Sequence, residues 1–421
     1  MFVCILVLHG TYIRSRSAED APTADWLVFA RLLVCAIGLT LGLIMISKVL
    51  PLGFGAKMLL FFGLATVVSA ISCPYRTTVL GYSSLLVGAS VLMIGLTYSA
   101  RNIIELQKIE QVWFLTVAAL VVKDAIVGLV TPQMLPGEEV ARLGMSVTHP
   151  TELSLLAVLV FWLSFTRHPE SYSVARWLLR IFLIFVIIAA RTRISIMTFV
   201  LAGFVRLILL ARDPLKRSIV VSATAGALLT FLILNISFSQ PWATGTIDYL
   251  RRGQTKASLT TLTSRTLIWN HVLPKTLETP IIGHGYGVSR LTMGRPRNAG
   301  FQPLHCHNAM LEVFFSTGFL GLLPFMLILV YSLKWIWDYA RLRAAFSTDL
   351  ALHAVCCVVI LLGSSFSEAI LGVRLSPIQP LFFLYLLALD RKVALGNVPV
   401  RSEGRRLLAE QSIRQPLMVC R

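Results

Sequence analysis

Long apolar stretches recur along the chain, and their lengths predict a bundle of membrane-spanning helices. A helix needs roughly 20 apolar residues to cross a bilayer. Segments near that length run from about 26–50, 57–73, 79–99, 112–132, 152–166, 176–190, 194–211, 218–239, 307–333, 350–371 and 375–390. They do not alternate apolar and polar residues as barrel strands do. Helices satisfy their own backbone groups in lipid, so the pattern predicts an all-α, polytopic membrane protein with about 11–12 transmembrane helices.

The same pattern divides the chain into four parts. Residues 1–239 hold about eight spans, 240–306 form one large loop, 307–390 hold about three spans, and 391–421 are a basic tail. The opening "MFVCILVLHG" has an apolar part too short to span and lacks a basic start, so it is a poor signal peptide. We expect it to be the end of a first helix that begins upstream of the assigned start.

Composition agrees with a membrane protein and argues against a soluble one. The chain is 56% hydrophobic and 14% charged, with a mean hydropathy of +0.77, whereas a soluble domain carries about 25% charged residues. The net charge of +18 would suggest nucleic acid in a soluble protein. Basic residues mark cytoplasmic loops in a membrane protein, so no nucleic-acid partner is expected. The seven cysteines form no CxxC pair and indicate neither a disulfide framework nor a metal site.

Short basic segments give the expected orientation. "RDPLKR" (212–217), "KWIWDYARLR" (334–343) and the tail from Arg391 are basic and should face the cytoplasm. Alternation of the spans then puts residues 240–306 on the outer face, which in a bacterium is the periplasmic side of the inner membrane. This loop nevertheless carries eight basic residues against Asp248 and Glu278. An anionic ligand explains them, because arginine matches the geometry of phosphate. The eight are Arg251, Arg252, Lys256, Arg265, Lys275, Arg290, Arg295 and Arg297.

Two further arginines lie where two predicted spans meet on the outer face. They are Arg191 and Arg193 in "AARTRISIM" (189–197). An arginine at a membrane edge is costly unless it has a partner. Two interpretations are open: the side chains extend to lipid headgroups, or Arg193, together with Arg191, faces the same cavity as the basic loop.

The loop contains a predicted amphipathic helix and a glycine turn. In "SRTLIWNHVLPKTLETPIIGHGYG" (264–287), apolar residues 267, 268, 272 and 273 are expected to cover one side of a helix, with Arg265 in its first turn. This helix either lies on lipid headgroups or presents Arg265 to a phosphate. "GHGYG" (283–287), with Gly283 and Gly285, forms either an ordinary tight turn or a backbone that aims its amides at an anion.

The segment "THPTELS" (148–154) opens another span. Pro150 suits the first turn of a helix, and Thr148 or Thr151 is expected to cap it. His149 and Glu152 are three residues apart and share a helical face. A capping pattern without a catalytic role and a substrate-binding role both fit this sequence.

The stretch "HCHNAMLEVFFSTG" (305–318) places two imidazoles at the start of an apolar span. His307 and Gly318 are eleven residues apart, about three turns or roughly 16 Å along a helix, so we expect them on nearly one face. A glycine there lets another helix or a lipid chain pack closely. The alternative is a polar helix start and an unrelated packing glycine. Glu368 and Arg374 are charges at the edge of a span without an assigned role.

Taken together, these motifs resemble the O-antigen ligase and polysaccharide polymerase family. The features occur in the family's order: a multispan body, Arg193 in "RTRIS", an outer loop with "SRTLIW" and "GHGYG", and then "HCHNAMLEVFFSTGFLGLLPF". The family pattern of a histidine, ten residues and a glycine is met by His307 and Gly318. "HN" followed by an apolar helix and "GFLG" is the most specific part. The resemblance is strongest over about 145–330, and the first third of the chain matches mainly in its hydropathy.

The chain departs from the family pattern at two positions. The family's loop arginine is often followed four residues later by leucine, and here Trp269 stands in that place. Residue 305 is a second histidine, so the choice of His307 as the reactive imidazole rests on the spacing to Asn308 and Gly318.

The resemblance implies a glycosyltransferase that needs no cofactor or metal and works at the outer face of the inner membrane. The donor would be a glycan on undecaprenyl diphosphate, the acceptor a sugar hydroxyl of a glycan or of lipid A-core, and further partners a chain-length regulator and a flippase. Arg193 and Arg265 would hold the diphosphate, and His307 would either remove the acceptor proton or only hydrogen-bond a substrate. The other candidate substrate-binding residues are Arg191, Arg290, His305, Asn308, His149, Glu152, Gly283, Gly285 and Gly318.

Two classes of function remain open from the sequence. A polymerase of O-antigen or exopolysaccharide and a ligase share the same catalytic parts and differ in the acceptor; general similarity favours the polymerase. A lipid-linked oligosaccharide transporter would also be polytopic and cationic, but it should show repeats or broken helices near the middle of the membrane. The sequence shows neither.

Overall fold

The structure is a computed structural model that describes residues 26–47, 51–130, 143–144, 149–165, 173–210, 265–296, 303–341, 349–365, 368–369 and 376–395. These residues contain helices and no strand. The helices are α1 (Trp26–Ile46), α2 (Phe54–Val68), α3 (Arg76–Ser99), α4 (Ile103–Val130), α5 (Pro150–Leu163), α6 (Val174–Ala189), α7 (Arg193–Leu210), α8 (Arg265–Thr276), α9 (Ser289–Thr292), α10 (Ala309–Arg341), α11 (Asp349–Ser365) and α12 (Ile378–Leu395).

The all-α architecture expected from hydropathy is confirmed. Ten predicted spans coincide with helices α1–α7 and α10–α12. The span at 218–239, residues 240–264 and 297–302 of the large loop and both ends of the chain lie outside the described residues. Within the described ranges, four helices are long and apolar enough to cross a membrane: α3, α4, α7 and residues Ala309–Trp337 of α10. The other apolar helices are shorter.

Helix α5 forms the centre of the bundle. From Leu153 to Val160 its side chains are fully buried, whichever way they face. A helix that is apolar on all sides belongs inside a protein core, and α5 is accordingly packed by α4, α6, α7 and α11. The residue just before α5, His149, is therefore fixed to a helix that is enclosed by others.

One carboxylate, that of Asp390, joins the start of α2 to the second half of α10 and to α12. Asp390 of α12 accepts the backbone amides of Gly55 and Ala56 at 3.0 and 2.8 Å and the hydroxyl of Tyr331 at 3.0 Å. Amides in the first turn of a helix have no partner within the helix, so this carboxylate caps α2. Tyr331 lies on the second half of α10, so the clamp is distant from His307.

Helix α10 differs from the sequence-based expectation in two ways. It continues to Arg341, so most of the basic segment 334–343 is helical and is not a loop. It is also kinked at Gly318, whose φ is 62° and ψ is −163°. The expectation that His307 and Gly318 share one face of a continuous helix is wrong, because His307 precedes the helix and Gly318 interrupts it.

The kink leaves backbone groups of α10 without partners inside the helix, and the glycine turn at residues 283–287 forms hydrogen bonds with them. Amides of His284 and Gly285 donate to the carbonyls of Phe315 and Ser316 at 2.8 and 2.9 Å. In the other direction, the amides of residues 319 and 320 donate to the carbonyls of residues 280 and 281 at 2.8 and 3.0 Å. Buried backbone groups need partners, so the loop is built into the helical body.

Helix α8 confirms the helix predicted in the loop, but it buries only two of the four apolar side chains that were expected to cover one side. Ile268 and Val272 are 1% and 0% exposed, whereas Leu267 and Leu273 are 46% and 48% exposed. The buried pair are four residues apart and therefore lie on one side of the helix. They pack with Met293, Cys306 and Phe315 in a small core of their own.

Candidate active site

Residues from distant parts of the chain converge around one carboxylate at one end of the bundle. Glu368, which follows α11, lies 3.6 Å from Arg265 NH2, 3.9 Å from His305 Nε2 and 3.7 Å from His307 Nδ1. His149, just before α5, also interacts electrostatically with Glu368. Two of the three residues assigned to catalysis from the sequence, Arg265 and His307, are thus brought together. We call His149, Arg265, His305, His307 and Glu368 the Glu368 cluster.

The third assigned residue, Arg193, joins this cluster through Arg265. The two guanidinium groups are close enough for their like charges to interact. Arg193 is the first residue of α7, and Arg265 is the first residue of α8. Because a helix N-terminus attracts negative charge, two arginines at two helix starts form a strongly anion-attracting region.

The imidazoles project from a short segment that Cys306 anchors. The Cys306 side chain is fully buried, its amide donates to Glu312 at 2.8 Å, and its carbonyl accepts the indole N–H of Trp269 at 2.9 Å. With Cys306 held in the small core, the residues on each side of it, His305 and His307, lie beside one another. Their ring centroids are 4.1 Å apart.

The backbone at His307 has an unusual conformation. Its φ is +51°, in the left-handed region that residues other than glycine adopt rarely and at a cost of roughly 1–2 kcal/mol. Its amide donates to Nδ1 of His305 at 3.1 Å. Such strain is found where the surrounding structure holds a side chain in place for function, and here it turns the imidazole toward Glu368.

Glu368 is ionised in spite of its burial. Burial of this carboxyl, which is 8% exposed, acts to raise its pKa. The neighbouring imidazoles of His307, His305 and His149 outweigh that effect and lower the pKa to about 2. The carboxylate can therefore only accept hydrogen bonds at neutral pH. The burial of Cys306 beside Glu312 has the opposite result, since it raises the pKa of the thiol far above its ordinary value and makes it unreactive.

His149 itself caps α5, and this corrects the expectation that Thr148 or Thr151 does so. Its Nδ1 accepts the amide of Thr151 at 3.3 Å, and Pro150 occupies the first turn as expected. Glu152 is on the same helix with 9% exposure. Its Oε1 is buried without a hydrogen-bond partner among the described residues.

Four other residues expected to bind substrate have backbone or capping roles in the structure. Asn308 caps α10, because its Oδ1 accepts the amide of Leu311 at 3.0 Å. The amides of Gly283 and Gly285 donate to the carbonyls of residues 279 and 316 at 2.9 Å each. Both amides are occupied, which favours the tight-turn interpretation of "GHGYG". Gly318 supplies the kink described above.

The remaining two arginines lie on turns near these elements. Arg191 has a φ of +51° and donates its amide to the carbonyl of residue 188 at 3.0 Å, which ends α6 with a left-handed residue. Arg290 is on the single turn α9 and is partly buried. Its neighbour Ser289 hydrogen-bonds the carboxylate of Glu312.

Three side chains of the Glu368 cluster have the chemistry to hold a cation. Ligand atoms of His305, His307 and Glu368 lie within 4.8 Å of one another, and imidazole nitrogen with carboxylate oxygen is a donor set that suits Zn²⁺. The same carboxylate also faces Arg265 at 3.6 Å. A guanidinium next to the donors works against a divalent cation, because it already balances the carboxylate charge.

Sequence analysis missed the central residue of this cluster. Glu368 stood out only as a charge at the edge of a span, 61 positions after His307 in the chain. Its one local signal was the cost of a carboxylate at a membrane edge. The fold supplies its partners, since the end of α11 meets the starts of α5, α8 and α10.

The fold and the cluster define a helical membrane protein with guanidinium, imidazole and carboxylate groups gathered at one end of its helices. The family model for the O-antigen ligase matches residues 178–326. This match confirms the resemblance drawn from the motifs: over this region the chain is similar to the O-antigen ligase family. The matched residues include Arg193, Arg265, His307 and Gly318, whereas Glu368 lies beyond them. No curated protein matches the chain.

Proposed function

We propose that this protein transfers a glycan from an undecaprenyl diphosphate carrier to an acceptor sugar hydroxyl at the periplasmic face of the inner membrane, and so polymerises O-antigen or exopolysaccharide. The observation that carries the proposal is the convergence of Arg265 and His307 on Glu368, at 3.6 and 3.7 Å, with Arg193 beside Arg265. The reaction needs a cationic site for a diphosphate and a base for a hydroxyl, and the cluster has both.

The reaction forms one bond and breaks one. The acceptor oxygen attacks the anomeric carbon of the donor sugar, and the bond from that carbon to the diphosphate oxygen breaks. The electron pair leaves with the lipid diphosphate, where Arg193 and Arg265 offset the developing charge. The acceptor proton passes to His307, since an imidazole exchanges protons near neutral pH.

The leaving group makes this chemistry possible without a metal. A diphosphate is a stable anion, and two arginines at helix N-termini supply the positive charge that a metal ion would otherwise provide. Lipid-facing grooves between the spans would take the polyprenyl chain, while the acceptor approaches from water. His307, whose side chain is 29% exposed, would lie where these two substrates meet.

A ligase that joins glycan to lipid A-core is the second candidate. The family model carries the description O-antigen ligase, and both enzymes would use the same cluster with different acceptors. Expression of the gene in hosts that lack either a polymerase or a ligase separates the two. Restored chain length in the polymerase-deficient host supports our proposal. Restored attachment to core in the ligase-deficient host would replace it with the second candidate.

The chemistry is tested with purified protein and a lipid-diphosphate donor. His307→Ala and Arg265→Ala should each abolish glycan transfer at unchanged expression and folding. His271→Ala is a matched control on α8, because the carbonyl of Met293 that His271 contacts at 2.9 Å also accepts from Lys275 at 2.7 Å. Full transfer by both the His307 and the Arg265 variant would refute the mechanism. A transporter would instead move the donor across vesicles without forming a glycosidic bond.

A further inference from the structure

Glu368 contacts both imidazoles through the same oxygen. Oε2 faces Nε2 of His305 at 3.9 Å and Nδ1 of His307 at 3.7 Å, while Oε1 faces Arg265 at 3.6 Å. The residue is buried and lies beyond the region that the family model matches. These contacts determine which nitrogen carries the proton in each neutral imidazole ring.

The proton on His305 is placed by the backbone. Its Nδ1 accepts the amide N–H of His307 at 3.1 Å. A backbone amide can only donate, so Nδ1 has no proton and the neutral ring carries it on Nε2, which faces the carboxylate. Both nitrogens of His305 are thus committed to holding the segment, and neither is available to a substrate.

The proton on His307 is placed by the carboxylate. Its Nδ1 is buried and makes no hydrogen bond with the described residues. The acceptor that it faces is Oε2 of Glu368, 3.7 Å away. A carboxylate can only accept, so the neutral ring is most stable with its proton on Nδ1. Nε2 is then the unprotonated nitrogen, on a side chain that is 29% exposed.

We propose that Glu368 is a positioning residue that holds the proton of His307 on Nδ1, so that Nε2 of His307 is the base, and that His305 is a brace for the backbone. This inference rests on the proposed function. It decides between the two imidazoles and gives Glu368 a role in the reaction without contact to substrate.

The same carboxylate stabilises the charge that forms during transfer. When Nε2 takes the acceptor proton, His307 becomes an imidazolium 3.7 Å from an ionised carboxylate. In the Ser-His-Asp triad of acyl transfer, a carboxylate likewise fixes the tautomer of the imidazole and then stabilises its protonated form. Among the described residues, the other titratable groups that face Glu368 are Arg265, His305 and His149.

The test uses four substitutions in the otherwise unchanged protein, two at Glu368 and one at each histidine. Glu368→Gln keeps the shape but removes the charge. We expect kcat to fall about 100-fold without a rise in the KM for the donor. We also expect the acidic limb of the pH–rate profile to move to lower pH, because the carboxylate that favours the protonated imidazole is gone. Glu368→Asp keeps the carboxylate, so the acidic limb of its pH–rate profile should match that of wild type. This variant keeps the test valid if the glutamine variant folds poorly.

The two histidines should respond differently to asparagine. In His305→Asn the Oδ1 atom can replace Nδ1 as acceptor for the amide of residue 307, so this variant should lose much less of kcat than His307→Asn. His307→Asn should lose transfer. Equal losses in the two asparagine variants, or a Glu368→Gln protein with wild-type kcat and an unmoved acidic limb, would overturn the inference. An active His307→Asn protein would also overturn the inference, because His307 would then not be the base. Absence of glycan transfer by the wild-type protein would instead overturn the proposed function itself, so the two failures are distinguishable.

Discussion

Gly283 and Gly318 face each other so closely that neither position has room for a side chain. A Cβ atom on Gly318 would lie 2.3 Å from the carbonyl carbon of Ile281, and one on Gly283 would lie 2.4 Å from that of Ser316. Both glycines have positive φ, 62° and 71°. The glycine turn at residues 283–287 and the kink of α10 are therefore one interlocked unit, which holds α8 and the histidine segment against the helices.

Gly318→Ala should destabilise this unit. The positive φ alone costs roughly 1–2 kcal/mol for a residue with a Cβ, and the collision with Ile281 adds to it. We expect a lower melting temperature in detergent and a loss of transfer activity.

Gly81→Ala is the matched control, because a Cβ at that helical position of α3 meets nothing within 4 Å. It should melt at the wild-type temperature or slightly above, since alanine favours a helix. Equal melting temperatures for wild type and the Gly318 variant would contradict the interlocked structure.

Trp269→Leu puts the family's common residue at this position and should still reduce stability and activity. The indole N–H donates to the carbonyl of Cys306 at 2.9 Å, and no leucine atom can replace that donor. Trp269→Phe keeps an aromatic ring and isolates the hydrogen bond, whose loss should cost about 1 kcal/mol. Thermal melting and initial rates of both variants check this. An unaffected Phe variant would show that the hydrogen bond does not hold the histidine segment.

Arg193→Lys should lose most of the transfer activity although the charge is kept. Arginine presents a planar set of donors that matches a diphosphate, and lysine presents a single point charge. Initial rates at varied donor concentration measure the effect, and a raised donor KM is expected along with a lower kcat. Arg101→Lys, at an exposed position next to α4, should behave as wild type. Wild-type kinetics for the Arg193 variant would remove Arg193 from the donor site.

Glu368 should make stability depend on pH below about 4.5. Its pKa is lowered from 4.5 in the reference state to about 2 in the folded protein. A lowered folded-state pKa contributes stability that is complete above 4.5 and is lost as the pH falls toward 2. The full contribution is roughly 3 kcal/mol at most. The melting temperature of Glu368→Gln should therefore lie below wild type at pH 6, and the difference should shrink between pH 4.5 and 3. A constant difference would contradict the assigned ionisation.

Chelation with EDTA should leave glycan transfer unchanged. His305, His307 and Glu368 have metal-binding chemistry, but Arg265 already faces the same carboxylate, and the proposed base needs His307 free of metal. Rates before and after EDTA treatment, with metal content measured in parallel, check this. Activity that is lost with EDTA and restored by Zn²⁺ or Mg²⁺ would show instead that the cluster is a metal centre.

The sequence by itself determined the helical membrane architecture. In lipid the backbone N–H and C=O groups must form hydrogen bonds within the protein, so a long apolar segment without alternation directly indicates a helix. It also gave the order of Arg193, Arg265 and His307, since these residues lie in local motifs. Only the tertiary structure decided that they meet at Glu368, that α10 breaks at Gly318, and that His305 and His307 have different hydrogen-bond roles. These features depend on contacts between residues far apart in the chain. Local pattern and spacing carry no information about which helix ends become neighbours.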